Sequence, residues 1–236
     1  MEPQSPRLPF FDTLRGFALV IMTIYHFCFD LNHFGLLQQN MNGNIFWLSY
    51  RALIMTLFTG LVGVGFSLGT IKPETYQRRL GKLFASAALI SLSTYILFPD
   101  SWVYFGILHF IFLASLLAPL LVRFPSSMLP LGLFFVLLPL FFRDPWFSKP
   151  ILILTGLAPS KPQTIDFSPL LPWLGVTMLG IFLGMWIKQT KEPFFRREIS
   201  WLSLLGRHSL LYYLGHQAVL LPLAWLLNFI FVRPGS

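Results

Sequence analysis

Arg15, His26, Asp30 and His33 lie in a run, Leu14 to Gly35, that is otherwise mostly Leu, Ile, Val, Phe and Met. On a helix, Arg15 and His33, 18 residues apart, share a face, with His26 about 20° and Asp30 about 60° from that line. Asp12 sits one turn before Arg15. The stripe is about 27 Å long, close to the thickness of a bilayer's hydrocarbon core. A buried ionisable group of this kind costs at least about 2.5–3.5 kcal/mol on insertion scales, so it needs partners or a water-filled cavity. A histidine so placed can serve as a base inside the membrane. Comparable residues recur in other apolar stretches: Arg51, His109 in "GILHFIF", and His216 with Gln217 in "LGHQAVL". Asp166 precedes "FSPLLPW", which contains Trp173, and His208 opens the last apolar run. Together they predict a polar cavity crossing a membrane. His26, Asp30 and His33 also have the i, i+4, i+7 spacing of three metal ligands, but any polar helix face has that spacing, and no metal is expected.

The elements that must carry these residues follow from composition. The 236 residues are 55% hydrophobic and 11% charged, with a mean hydropathy of +0.68. Soluble domains carry about 25% charged residues, so the expectation is an all-α, polytopic transmembrane helical bundle in one domain, residues 1–236. Seven apolar segments stand near 10–34, 45–70, 77–98, 102–123, 127–142, 168–188 and 208–232. The piece "ILILTGLAP" between Pro150 and Pro162 is too short to span and reads as re-entrant or interfacial. Residues 191–206 read as a surface-lying amphipathic connector. With the N-terminus in the cytoplasm, twelve of the 17 Lys and Arg residues border that side and four the other, with Arg51 inside a helix. The +8 net charge therefore reads as topology control, not as a nucleic-acid surface. Cys28 is the single cysteine, which excludes an internal disulfide and a cysteine metal cluster. The first apolar run is long, interrupted by charge and without a small-residue cleavage site, so it is expected to stay as a helix. Glycines in "TGLVGVGFSLG" and at 175, 180 and 184 suit close helix packing.

The segments "FDTLRGFALVIMTIYHFCFDLNHFG", "YFGILHFIFLAS", "DFSPLLPWLGVTMLGIFLG" and "GRHSLLYYLGHQ" resemble, in this order, the bacterial membrane family grouped with the catalytic domain of heparan-α-glucosaminide N-acetyltransferase. The resemblance covers nearly the whole chain. Its most specific parts are the D-x-x-R-G opening and the G-R-x-S-L-x-x-Y-x-x-H-Q ending. Arg15 and His26 also reproduce the R-x10-H spacing of membrane O-acyltransferases of the acyltransferase-3 type.

The resemblance implies transfer of an acetyl or other acyl group from cytosolic acyl-CoA to a sugar or glycan hydroxyl or amine on the outer side of a bacterial inner membrane, with a membrane-embedded histidine at its centre. It places the donor at Asp12, Arg15, Arg207 and His208, where coenzyme A phosphates would meet arginine. His26 is then the base or acyl carrier, with Asp30 orienting it and His33 its competitor. The eukaryotic enzyme is longer, and its active histidine follows the first helix, nearer to His33. Arg51, His109, His216 and Gln217 line the cavity, with Asp166 and Trp173 at the acceptor mouth. Self-association is left open. A proton-coupled transporter would use the same intramembrane groups, but transporters commonly carry internal repeats and none is visible. A membrane scaffold would pair its polar groups off and leave no cavity.

Overall fold

A computed structural model describes residues 8–69, 73–190 and 193–231. Arg7, Lys72, Lys191 and Arg233, counted above for the charge bias, lie outside the described residues. Each of the seven apolar segments is a helix: α1 (Pro9–His33), α2 (Ile45–Leu68), α3 (Pro73–Leu97), α4 (Ile107–Leu121), α5 (Met128–Phe141), α6 (Leu170–Thr190) and α8 (Ser209–Phe231), with a short α7 (Ser200–Arg207) before the last. Helices α1, α2, α3, α6 and α8 are long and apolar enough to cross a membrane, while α4 and α5 are shorter. The architecture is an all-α polytopic bundle. "ILILTGLAP" holds a 3-10 turn, Leu152–Thr155.

The chain divides into two compact units, one of Thr59–Glu192 and one of Arg7–Phe58 with Pro193–Ser236. In the second of these, α1 starts on a proline, whose missing N–H costs nothing at a helix start. It ends where Gly35 takes a φ of +77°, a left-handed conformation that favours glycine. Ala18, Leu19 and Met22 form its buried face. Tyr50 on α2 donates its hydroxyl to Ile21 O at 3.0 Å. Helix α8 lies beside α1 and runs in the same direction. Contacts climb both helices together: Thr23 with Tyr212 at 2.9 Å, His26 with His216, Asp30 with Gln217, and Phe34 O with the Asn228 amide.

The 191–206 connector differs from a helix lying free on the surface. A 3-10 turn, Pro193–Arg196, leads into α7, which buries Leu202, Ser203 and Gly206 against α1. The approach is close enough that a Cβ on Gly16 would collide with Leu202 O, and one on Gly206 with Asp12 O. Phe195 stacks on Phe11 at 5.7 Å.

In the Thr59–Glu192 unit, α6 is central. It packs on the last part of α2, where the Gly180 and Gly60 backbones meet, and on α5, where Gly175 meets Gly132. Phe66, Ala118, Met128, Met178 and Ile181 form the buried cluster between these helices. Helix α3 joins α4 through the Tyr76 hydroxyl, which donates to Ser115 O. Before α6 the chain runs extended alongside residues 101–105, with Ile165 N–H donating to Ser101 O at 2.9 Å and Ser168 N–H to Phe105 O at 3.0 Å.

Candidate active site

The polar stripe of α1 begins at a two-arginine clamp. Asp12 is 5% exposed and its Oδ1 accepts from Arg15 Nη1 at 2.9 Å. Arg207 Nε approaches Asp12 Oδ2 at 3.8 Å, and Arg207 Nη2 donates to Glu198 Oε1 at 2.8 Å. Thr13 Oγ1 accepts the N–H of Ile199 at 3.1 Å. The D-x-x-R-G and G-R-H-S motifs are thus two sides of one contact. Their glycines let the backbones touch, and their charged residues meet around one buried carboxylate. The Arg15 and Arg207 side chains are 27% and 41% exposed, so both guanidinium groups also reach solvent. Glu198 was not singled out by sequence, because its role depends on α7 docking beside α1. His208 is exposed at the break between α7 and α8.

Higher on the stripe, His26 Nδ1 lies 2.9 Å from Met22 O. A carbonyl only accepts, so Nδ1 carries a proton, and in the neutral imidazole Nε2 keeps the lone pair. His216 repeats this arrangement, with Nδ1 2.6 Å from Tyr213 O, and its Nε2 is buried without a partner. The two ring centres are 5.0 Å apart and the planes nearly perpendicular. One turn further, Asp30 is 2% exposed. Its Oδ1 accepts from Gln217 Nε2 at 3.3 Å, while Asp30 Oδ2 and Gln217 Oε1 are buried and unpartnered. Asp30 therefore contacts Gln217 and makes no hydrogen bond to the His26 imidazole. Three buried acceptor atoms on facing turns of α1 and α8 have no donor among the described residues. An unpaired buried acceptor costs about 1–3 kcal/mol, which a bound O–H or N–H group would recover.

An aromatic wall adjoins His26. Tyr25 stands edge-on to it at 5.8 Å, stacks on Tyr50 at 5.8 Å and meets Trp47 at 6.0 Å. Nothing in the sequence marks these rings, since aromatic residues are common in every apolar segment here. Arg51, one turn beyond Trp47 on α2, is half-buried and makes no hydrogen bond or ion pair with described residues. His33 occupies the last turn of α1, exposed, with its ring 5.3 Å from Phe34.

His109, Asp166 and Trp173 belong to the Thr59–Glu192 unit. The Ser91 hydroxyl donates to Val103 O at 2.7 Å, so at 3.0 Å it accepts from His109 Nε2–H. His109 Nδ1 accepts Gly106 N–H at 3.2 Å. Both ring nitrogens are thereby engaged in holding the start of α4. Asp166 Oδ2 accepts Ile107 N–H at 2.9 Å and caps the same helix from 59 residues away. Burial pushes the Asp166 carboxyl above its ordinary range, and the hydrogen bond from Ile107 and the nearby Lys161 offset only part of this. Trp173 packs with Phe105 and Phe110. A cavity of about 370 Å³ lies along α3 and α4, walled by Phe84, Phe105, Phe112, Leu113 and neighbouring alanines, with His109 its polar member. It is an apolar crevice, and His26 is not in its wall. Among the described residues, no three His, Cys, Asp or Glu side chains gather as metal ligands.

The family model described as heparan-alpha-glucosaminide N-acetyltransferase, catalytic, matches residues 7–218. The chain belongs to this family. The match runs through both units and stops just past His216 and Gln217, so it takes in the clamp and the paired histidines. No curated protein and no solved structure matches the chain. By family the chain is a transmembrane acetyltransferase, and family members in general use acetyl-CoA as donor.

Proposed function

We propose that this chain, as one functional domain over residues 1–236, moves an acetyl or related acyl group from acyl-CoA across a bacterial inner membrane to a sugar or glycan acceptor. The reading rests on one observation: His26 presents an unprotonated Nε2, on the arginine-bearing face of α1, beside three buried acceptor atoms that lack a donor. The Arg15–Asp12–Arg207 clamp is the donor end. Its arginines meet the phosphates of coenzyme A, and the cytoplasmic placement of the N-terminus puts that end on the acyl-CoA side. The thioester reaches His26 before His33, which lies seven residues, or about 10 Å, further along α1. Asp30 and Gln217 receive acceptor O–H or N–H groups, and the Tyr25, Tyr50 and Trp47 rings offer a face for a sugar ring. Arg51, free of a partner among described residues, is the cation suited to the oxyanion.

The test uses purified protein in bilayers with acetyl-CoA and a panel of amino-sugar and sugar acceptors. His26→Ala is expected to lower transfer by at least about 10²-fold, since it removes the base or acyl carrier. Donor affinity should be nearly unchanged, because the imidazole acts at the transition state. His33→Ala should do less. An inactive His33→Ala beside an active His26→Ala would move the chemistry to the outer mouth. Proton-driven solute uptake without CoA release would favour a transporter instead.

A further inference from the structure

His26 and His216 are alike in a way that a single-base mechanism leaves unused. Each ring gives its Nδ1 proton to a main-chain carbonyl of its own helix, Met22 for His26 and Tyr213 for His216. Each therefore holds an Nε2 lone pair, with the ring centres 5.0 Å apart. The His216 Nε2 is buried and has no donor among the described residues. A base that takes a proton from the acceptor and returns it to sulfur needs only one imidazole. A histidine that carries the acyl group on Nε2 has lost its own basic atom, and the acceptor then needs another.

On the acyl-transfer reading above, with His26 Nε2 as the acyl carrier, we infer that His216 Nε2 is the base for the acceptor. In the first step the His26 Nε2 lone pair forms a bond to the thioester carbonyl carbon. The C–S bond breaks and its electron pair leaves with sulfur as the thiolate. The acyl-imidazolium keeps its Nδ1–H on Met22 O. In the second step the acceptor oxygen or neutral amine nitrogen bonds to the acyl carbon while His216 Nε2 takes its proton. The bond from carbon to His26 Nε2 breaks, and the electron pair returns to His26. The His216 imidazolium then gives its proton to the thiolate or, once CoA has left and taken a proton from water, to the hydroxide that remains, which leaves both rings neutral in their starting tautomers. Two fixed Nδ1–H anchors suit this division. They aim both Nε2 atoms without any side chain that would compete for the lone pairs.

Rapid-quench kinetics of the full chain in bilayers tests the assignment, with acetyl-CoA as donor, glucosamine as acceptor and hydroxylamine as a nucleophile that needs little help from a base. His216→Gln keeps the size and polarity of the side chain without its basicity, and His216→Phe removes both. Each is expected to release about one equivalent of CoA per chain and then stall. Transfer to glucosamine should fall about 10²–10⁴-fold, and hydroxylamine should restore turnover. His26→Ala should give no burst. A folded His216→Gln variant that acetylates glucosamine at the wild-type rate, or that loses the CoA burst, would overturn the division while leaving acyl transfer standing. Wild-type protein that releases no CoA with either nucleophile would remove the acyl-transfer reading itself.

Discussion

The crossing of α1 and α7 can be opened by a single methyl group. A Cβ on Gly206 would run into Asp12 O and approach Gly16 N at 3.0 Å. These neighbours are main chain, so no rotamer change relieves the clash and the helices must part. Overpacking of this kind costs about 1–3 kcal/mol, and alanine recovers at most about 1 kcal/mol of helix propensity over glycine. Because the obstacle is main chain, the upper part of that range, about 2–3 kcal/mol, applies, and the net loss for Gly206→Ala is about 1–2 kcal/mol. At about 2–4 °C per kcal/mol for a domain of this size, the melting temperature should fall about 2–8 °C. Gly65→Ala is the control, because a Cβ there has nothing within 4 Å, and it should melt no lower than the wild type. Gly16→Ala should resemble Gly206→Ala, and the double variant should lose less than the sum, since both methyl groups open one crossing. Thermal unfolding in a single detergent, followed by tryptophan fluorescence, measures all four. If Gly206→Ala melts with Gly65→Ala, the backbones are not in contact and the account of the two motifs fails.

Three further outcomes are expected. Arg15→Ala and Arg207→Ala should each weaken acetyl-CoA binding by about ten- to a hundred-fold, the worth of a hydrogen bond to a charged group, and unchanged calorimetric affinity in both folded variants would remove the donor site from this clamp. With Cys28 replaced, a cysteine at Glu74, in the first turn of α3, should resist an impermeant thiol reagent in intact cells, and ready labelling would reverse the orientation. Because burial raises the Asp166 carboxyl, its contribution to stability is full below the ordinary carboxylate range and is lost as pH rises through the raised value. Wild-type protein should therefore lose melting temperature relative to Asp166→Asn as the pH rises above the ordinary carboxylate range, and a constant difference would show that the carboxyl titrates normally.

Much of this fold follows from hydropathy, since a 20-residue apolar run has few alternatives to a helix in lipid. All seven segments are helices, and the placement of Asp12, Arg15, His26 and Asp30 on α1 follows from a 100° step. The hidden part lies between helices. Periodicity says that His26 and Asp30 need partners, but not that α8 supplies them in parallel, nor that Asp30 meets Gln217 instead of the imidazole. His109 and Asp166 read as cavity residues because they are ionisable and near apolar runs. Their hydrogen bonds to Ser91, Gly106 and Ile107 also tie down the start of α4. Such contacts span up to 59 residues and leave no local pattern. Gly16 and Gly206 read as ordinary small residues because the backbone each one meets belongs to a distant segment.

The partners of the first helix are made last. His26 and Asp30 meet side chains of α8, and Asp12 meets Arg207 of α7, each more than 180 residues later. A ribosome adding roughly 5–20 residues per second needs roughly 10–35 s to reach them. Through that interval α1 is membrane-inserted with its ionisable stripe uncovered, a state that invites insertase or chaperone cover and makes it a marked target for membrane quality control. Any truncation that removes α8 freezes the chain in that exposed form, so loss of the last helix should register first as degradation of the first.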